Sequence, residues 1–454
     1  MGVLSEKRLQ QVGGLVKTLP VGILRQLNSS LSLSQDAALT QVRNLVAREL
    51  EAHTLKEQVF RPFVPLFMAR DDGIEGVIFP NWVLSRLWRV LQTEEKALVE
   101  EARVLSQGLR ADDPVPVPFF RLVNAGAELI RARPEAVLAP DADEDDADEL
   151  EEFAAYLDLH RLLREALARL PDWMGRIDAE KAAAIRLMFK DASDKTEDGE
   201  GGVRFLEAML ANMDDATLVM KFVATVSDRA NDRFLSESEL ASFGERLLKA
   251  AEERLKVFEG LMRRRDASLL GEAGGWVAQC LGILNSLQQS VELTRDGPWG
   301  KRAVAIHQSV NALVEERLKG VEKVISQALP LKTERIFGRA TREVPDYAGP
   351  KPAQAETALQ TVAFLNQIRP TAAQGGYASL LAKTVQSAEL LMDAYFNVVL
   401  GIAVADDPFD PDAVMSCFDR VIPLMDGLLG EAKGNLARRR VASADVFRAP
   451  KTIA

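Results

Sequence analysis

Apolar residues recur at intervals of three and four along most of this chain, and that spacing predicts helices rather than strands. In the segment after Ser236, one apolar stripe follows about seven turns through Leu240, Phe243, Leu247, Ala251, Leu255, Phe258 and Met262. Ser236 and Glu239 have the spacing of a capping box, and Arg263 begins a run of arginines where a helix end favours cations. We therefore predict a long helix that starts at Ser236.

Two further long helices are predicted at 299–329 and 377–404, the first of them bounded by Pro298 and Pro330. The strand-like stretch is short, Gly76 to Phe79, and does not predict a sheet. The expected fold class is all-α, built from bundle-like units of long antiparallel amphipathic helices with negligible strand. We expect helix in more than about 60% of residues and strand in fewer than about 5%, well outside ordinary base rates.

Changes of composition suggest where the chain divides. Residues 111–118 contain three prolines, residues 140–152 are strongly acidic, and residues 331–354 contain Pro345, Pro350 and Pro352. The acidic run is expected to be a loop that becomes the first turn of a helix, because the helix dipole favours acidic residues there. The predicted organisation is an N-terminal helical unit at 1–132, a central long-helix unit at 145–330, a linker at 331–354, a C-terminal helical unit at 355–440 and a tail at 441–454.

Composition narrows the class of protein. The 454 residues are 47% hydrophobic and 27% charged, which is ordinary for a soluble globular protein. A net charge of −11 argues against nucleic acid as a partner, because phosphate binding depends on clustered Lys and Arg. No secretory signal is visible at the N-terminus, and the apolar stretch 396–405 is too short to span a bilayer. Arginines outnumber lysines, as in GC-rich bacterial genomes, so we expect a bacterial cytoplasmic protein.

Few side chains have the spacing of a reactive site. Cys280 and Cys417 cannot form a disulfide framework and are expected to be buried, reduced thiols. His53, His160 and His307 lie in separate predicted helices, without a second His or Cys at ligand spacing. The sequence contains no GxxxxGK[ST], GxGxxG or GxSxG motif. These observations favour a protein that is not an enzyme.

One acidic stretch resembles a helix–loop–helix calcium hand. It places Asp228 at position 1, Asp232 at position 5 and Glu239 at position 12 of a twelve-residue loop, where oxygen ligands would surround Ca²⁺. Position 3 is Ala230, which supplies no side-chain oxygen, and position 6 is Arg233, where the loop needs glycine. These three carboxylates are the candidate metal ligands, and we expect a calcium affinity no tighter than about 1 mM.

The leading functional hypothesis is a non-enzymatic helical protein–protein interaction protein: an adaptor, a scaffold or a regulatory subunit. The alternatives are a metal- or small-molecule-dependent all-α enzyme, whose carboxylates converge only after folding, and a degenerate calcium-hand sensor. The expected partners are other proteins, a second copy of the chain included, with no nucleic acid and no membrane span. Because residues 394–405 are more apolar than one helix stripe requires, we expect the unit at 355–440 to take part in self-association or docking.

Overall fold

The structure is a computed structural model of the whole chain, and it describes residues 12–13, 15–16, 19, 21–31, 37–107, 109, 113–196, 198–264, 269–337, 340–405 and 410–444. Helices make up 76% of the chain, and the sheet within the described residues has two strands. The prediction of an all-α fold is therefore confirmed. Contacts between residues divide the chain into two compact units, 1–228 and 229–454.

The first unit contains ten described α-helices around an aromatic core. They are α1 Val21–Leu31, α2 Ala37–Val59, α3 Asn81–Glu94, α4 Lys96–Ser106, α5 Val117–Ala132, α6 Glu144–Asp158, α7 His160–Trp173, α8 Ala179–Ser193, α9 Gly201–Ala211 and α10 Val219–Val226. Three 3₁₀ helices lie between them, at Val64–Phe67, Pro134–Ala136 and Ala216–Leu218. Phe153 packs edge-on against Phe63, Phe67 and Phe79, with ring centroids 5.1 to 6.0 Å away. These buried rings supply much of the apolar area that holds the unit together.

The acidic run forms the start of α6, as predicted. The Asp143 side chain accepts a hydrogen bond from Asp146 N, and the Asp146 carboxylate accepts one from Asp143 N, which makes a capping box. Later in α6, Glu152 accepts two hydrogen bonds of 2.7 Å from the buried guanidinium of Arg204 on α9. The opposite side of that guanidinium donates to Asp198. The acidic helix is therefore fastened to α9 by a bidentate ion pair.

The second unit contains the remaining elements. They are α11 Asp232–Leu235, α12 Ala241–Arg264, α13 Leu270–Ser290, α14 Pro298–Lys319, α15 Val321–Ala328, strands β1 Leu331–Phe337 and β2 Ala340–Pro345, α16 Pro352–Ile368, the 3₁₀ helix Arg369–Thr371, α17 Ala378–Val404, α18 Pro411–Leu429 and α19 Glu431–Ser443. Helix α13 packs against both α12 and α16. At Gly274 the helices approach so closely that a Cβ atom would lie 2.7 Å from Gln367 Cβ and 3.2 Å from the carbonyl oxygen of Phe364.

The observed division differs from the predicted one. The boundary between Asp228 and Arg229 lies inside the stretch predicted to be a central unit. Helices α5 and α6 pack together across the predicted gap at 133–144, and α15 and α16 pack together across the predicted linker. Short connections between neighbouring helices in a core use proline and acidic residues just as linkers do. Whether the predicted units are separate domains stays a prediction.

The stretch 331–354 was predicted to be a linker, and that prediction is wrong for its first half. Strands Leu331–Phe337 and Ala340–Pro345 pair as an antiparallel hairpin in which Lys332 pairs with Val344, Thr333 with Glu343 and Glu334 with Arg342. Gly76–Phe79, the strand-like stretch, has no strand. All of the β-strand residues described are in the hairpin, which keeps strand content as low as expected.

Two of the three long predicted helices differ in detail. The first begins at Ala241, and Ser236 donates its hydroxyl hydrogen to Arg233 O, so the predicted capping box is absent. The second is interrupted at Gly320 and forms α14 and α15. The third is confirmed as α17.

Helix α17 is long and apolar enough to cross a membrane by length and composition, with a mean hydropathy of 1.4 over its most apolar window. The sequence expectation had considered only its last part, residues 396–405. In the structure the helix packs against α15, α18 and β2. One third of the apolar window is buried.

Candidate protein interface

The predicted calcium ligands are not gathered into a metal site. Asp228 and Glu239 have exposed side chains, whereas Asp232 is completely buried. Among the described residues, no group of three or more His, Cys, Asp or Glu side chains has the geometry to hold a metal ion. Calcium binding itself is not tested by this geometry, so an affinity no tighter than about 1 mM stays a prediction.

Asp232 has a structural set of hydrogen bonds instead. One carboxylate oxygen accepts from the hydroxyl of Thr294 at 3.0 Å and from its backbone N–H at 3.3 Å. The other oxygen accepts from Gly300 N at 3.1 Å. At Gly297, a Cβ atom would lie only 1.8 Å from that second oxygen. The carboxylate thus connects the first residue of α11 to Thr294 and to the start of α14, and both of its oxygens already accept hydrogen bonds.

Three of the side chains that could act in acid–base or nucleophilic chemistry, His160, Cys280 and Cys417, are buried. His160 Nδ1–H donates to Leu157 O at 2.9 Å, and burial lowers the pKa of this histidine to about 4, which keeps the ring neutral. Cys280 and Cys417 are free and buried, as predicted. Burial raises the pKa of the Cys280 thiol to about 12, so the nucleophilic thiolate is not formed at neutral pH.

The hairpin of β1 and β2 is exposed to solvent along much of its length. Five consecutive residues of β1, Leu331 to Arg335, are exposed, and so are Thr341 to Glu343 of β2. Neither face of this ribbon is therefore covered over that length. Burial begins at the base, where Val344 is only 5% exposed, and β2 contacts α17. A two-stranded hairpin without a covered face is marginally stable by itself, so the fixed base matters.

The base of the hairpin is held by several polar contacts. Lys332 forms an ion pair of 2.7 Å with Asp346, and Arg420 of α18 donates to the carbonyl oxygens of Asp346 and Tyr347 at 3.2 Å. Gly349 has φ +74°, a backbone conformation that favours glycine. A Cβ atom there would lie 2.6 Å from Arg420 Cζ. These contacts fix the hairpin at its base, while the strands beyond the base are exposed.

The alternation of hydrogen-bonded and non-hydrogen-bonded pairs in the hairpin determines which β1 peptide groups point away from β2. Asp346 N donates to Pro330 O at 2.9 Å, which makes residues 330 and 346 a hydrogen-bonded pair. Hydrogen-bonded and non-hydrogen-bonded pairs alternate in an antiparallel ladder, so the next non-hydrogen-bonded pairs are Leu331 with Pro345 and Thr333 with Glu343. The N–H and C=O groups of Leu331 and Thr333 therefore point away from β2.

Charge on the hairpin differs in sign from that of the whole chain. Its described residues include three cations (Lys332, Arg335 and Arg342) and two carboxylates (Glu334 and Glu343), whereas the chain carries a net charge of −11. Glu334 and Arg342 face each other across the strands at 3.8 Å. The sequence analysis missed this surface entirely, although β-branched residues between Pro330 and Pro345 were a signal for it.

No protein-family model matches the chain, and no match was found among curated proteins or among solved structures.

Proposed function

We propose that this chain is a non-enzymatic protein–protein interaction protein, an adaptor or scaffold, that binds its partner through the outer edge of β1. The observation that carries this proposal is a hairpin exposed on both faces and fixed at its base. Natural proteins normally cover or shorten such edges, because unpaired strand edges recruit other strands. An edge that is left open on a rigid base is suited to binding another chain.

The mode of binding that fits is β-augmentation. An extended segment of the partner would pair with the outward peptide groups of Leu331, Thr333 and Arg335, adding a third strand. Main-chain hydrogen bonds would supply affinity, and side chains at alternate positions would supply specificity. Strand β1 is the better edge because all five of its first residues are exposed, whereas β2 has Val344 buried and lies beside α17.

The partner segment is expected to be acidic. The hairpin carries an excess of cations, and complementary charge increases association rate and suppresses wrong partners. A carboxylate of the partner segment would lie beside Arg335, because Lys332 already forms an ion pair with Asp346. We therefore expect an acidic partner strand rather than a hydrophobic one.

We predict that Thr333→Pro prevents partner binding and leaves the hairpin folded. Proline removes one outward N–H from β1 but no ladder hydrogen bond, because Thr333 is in a non-hydrogen-bonded pair. The measurement is affinity purification from the native host, with quantitative mass spectrometry of wild type and variant. The recovered amount of proteins that bind the β1 edge should fall at least about tenfold, which corresponds to a loss of roughly 1.4 kcal/mol of binding free energy.

Two variants serve as matched controls. Thr333→Val keeps the N–H and the β-branched shape, so its partners should remain. Glu343→Pro removes the corresponding outward N–H from β2, and its partners should also remain if β1 is the edge that binds. If all three variants recover the same proteins as wild type, the hairpin is not the interface and the proposal fails.

A further inference from the structure

A cavity in the first unit is lined by two arginines, Arg61 and Arg164. It has a volume of 690 Å³ and is lined by Arg61 and Arg164 together with apolar side chains, among them Leu167, Leu170 and Met174. This volume is within the range of pockets that enclose small organic ligands. Within the part of the chain that the structure describes, neither arginine forms an ion pair with a carboxylate.

Arg164 has only part of its hydrogen-bonding capacity satisfied by the protein. Its Nη2 donates to Gln58 O at 2.8 Å and to Val59 O at 2.7 Å, the last carbonyls of α2. Its Nε is buried without a hydrogen-bond partner in the described residues. Its Nη1 also has no hydrogen bond to the described residues, which leaves one terminal nitrogen for a ligand.

The electrostatics next to Arg61 and Arg164 favour a bound anion, although Asp113 and Asp214 also line the cavity. Burial, together with repulsion from Arg61, lowers the pKa of Arg164 to about 10, so it is still charged at neutral pH. The negative end of the α2 dipole offsets part of the cost of this buried charge. An unpaired charge in a half-buried site nevertheless remains costly, and an oxyanion between two guanidinium groups would relieve that cost.

We propose that this cavity binds a small organic monocarboxylate. The carboxylate would pair with Arg164 Nη1 and Arg61, and its apolar body would lie against Leu167, Leu170 and Met174. A single negative charge fits better than a phosphate dianion, because Asp113 and Asp214 also line the cavity and would repel a second charge. The inference does not depend on the proposed role of the hairpin.

The test uses isothermal titration calorimetry of the full chain with hexanoate and benzoate. We expect saturable binding of at least one carboxylate, with hexanol, the uncharged analogue, at least about tenfold weaker because it cannot form the charge-assisted hydrogen bond. Inorganic phosphate should bind more weakly than the carboxylates. Absence of saturable carboxylate binding, equal binding of hexanol, or tighter binding of phosphate would each overturn the proposal.

Three variants locate the binding. Arg164→Met keeps an unbranched apolar stem but removes the guanidinium group, and it should weaken carboxylate binding at least about tenfold. Ala168→Trp places a large side chain in the cavity from an exposed position, so it should abolish binding without overpacking the core. Arg169→Gln, on the same helix but outside the cavity, should leave affinity unchanged. If Arg164→Met fails to fold, the Ala168→Trp variant and the comparison of hexanoate with hexanol still test the proposal. An Ala168→Trp variant that binds carboxylates with unchanged affinity contradicts it.

Discussion

Deletion of residues 355–454 is expected to prevent the second unit from folding, so that the remaining chain loses one cooperative unfolding transition and aggregates. Helix α16 would be lost, and α13 packs directly against it. The rings of Phe258 on α12 and Phe364 on α16 are stacked with centroids 6.5 Å apart. Each large buried side chain contributes about 1.5 to 3 kcal/mol, so a few such losses equal the whole stability of a domain.

The measurement is thermal unfolding followed by circular dichroism, with light scattering to detect aggregates. A chain that lacks only 445–454 serves as the control and should unfold like wild type, because α19 ends at Ser443. A soluble 1–354 fragment with two cooperative transitions would contradict this account. That result would support the separable C-terminal unit that composition suggested.

Asp232→Ala is expected to destabilise the second unit by about 3 kcal/mol. The substitution leaves Thr294 and the backbone N–H of Gly300 without their acceptor in a site that excludes water. A buried donor that loses its acceptor destabilises the folded state by more than the loss of a solvent-exposed hydrogen bond does. Urea unfolding, followed by circular dichroism, measures the change in the free energy of unfolding.

The matched control is Asp228→Ala, which removes an exposed carboxylate from the same predicted loop and should change stability by less than about 0.5 kcal/mol. Gly297→Ala should resemble Asp232→Ala, because the added Cβ would displace the carboxylate. Equal, small effects of Asp232→Ala and Asp228→Ala would mean that the buried carboxylate does not stabilise the unit. They would also return Asp232 to the list of candidate metal ligands.

The helices could be predicted from the sequence because one buried face repeats at a fixed interval. Helix α17 was predicted to within a residue, and the capping box at Asp143 follows from local side-chain chemistry. The boundary at Asp228 could not be predicted, because no proline- or glycine-rich segment marks it. Which helices share a core depends on contacts between distant residues, such as Phe258 with Phe364.

The hairpin was missed for a different physical reason. Strands are recognised by alternation of apolar and polar residues, which arises when one face of a sheet is buried. Here neither face is buried from Lys332 to Arg335, and those four residues accordingly include no apolar side chain. The cavity of Arg61 and Arg164 was missed because its residues are about a hundred positions apart in the chain.

Residue-resolved hydrogen exchange at β1 tests the central proposal most directly, with the chain alone and then bound to the partner recovered with wild type. In the free chain, the outward amides of Leu331, Thr333 and Arg335 should exchange rapidly, and those of Lys332 and Glu334 should be slower because they belong to the ladder. Binding should protect the three outward amides and leave Glu343 on β2 unchanged. If partner binding leaves the exchange of Thr333 and Arg335 as fast as in the free chain, the β1 edge is not where the partner binds.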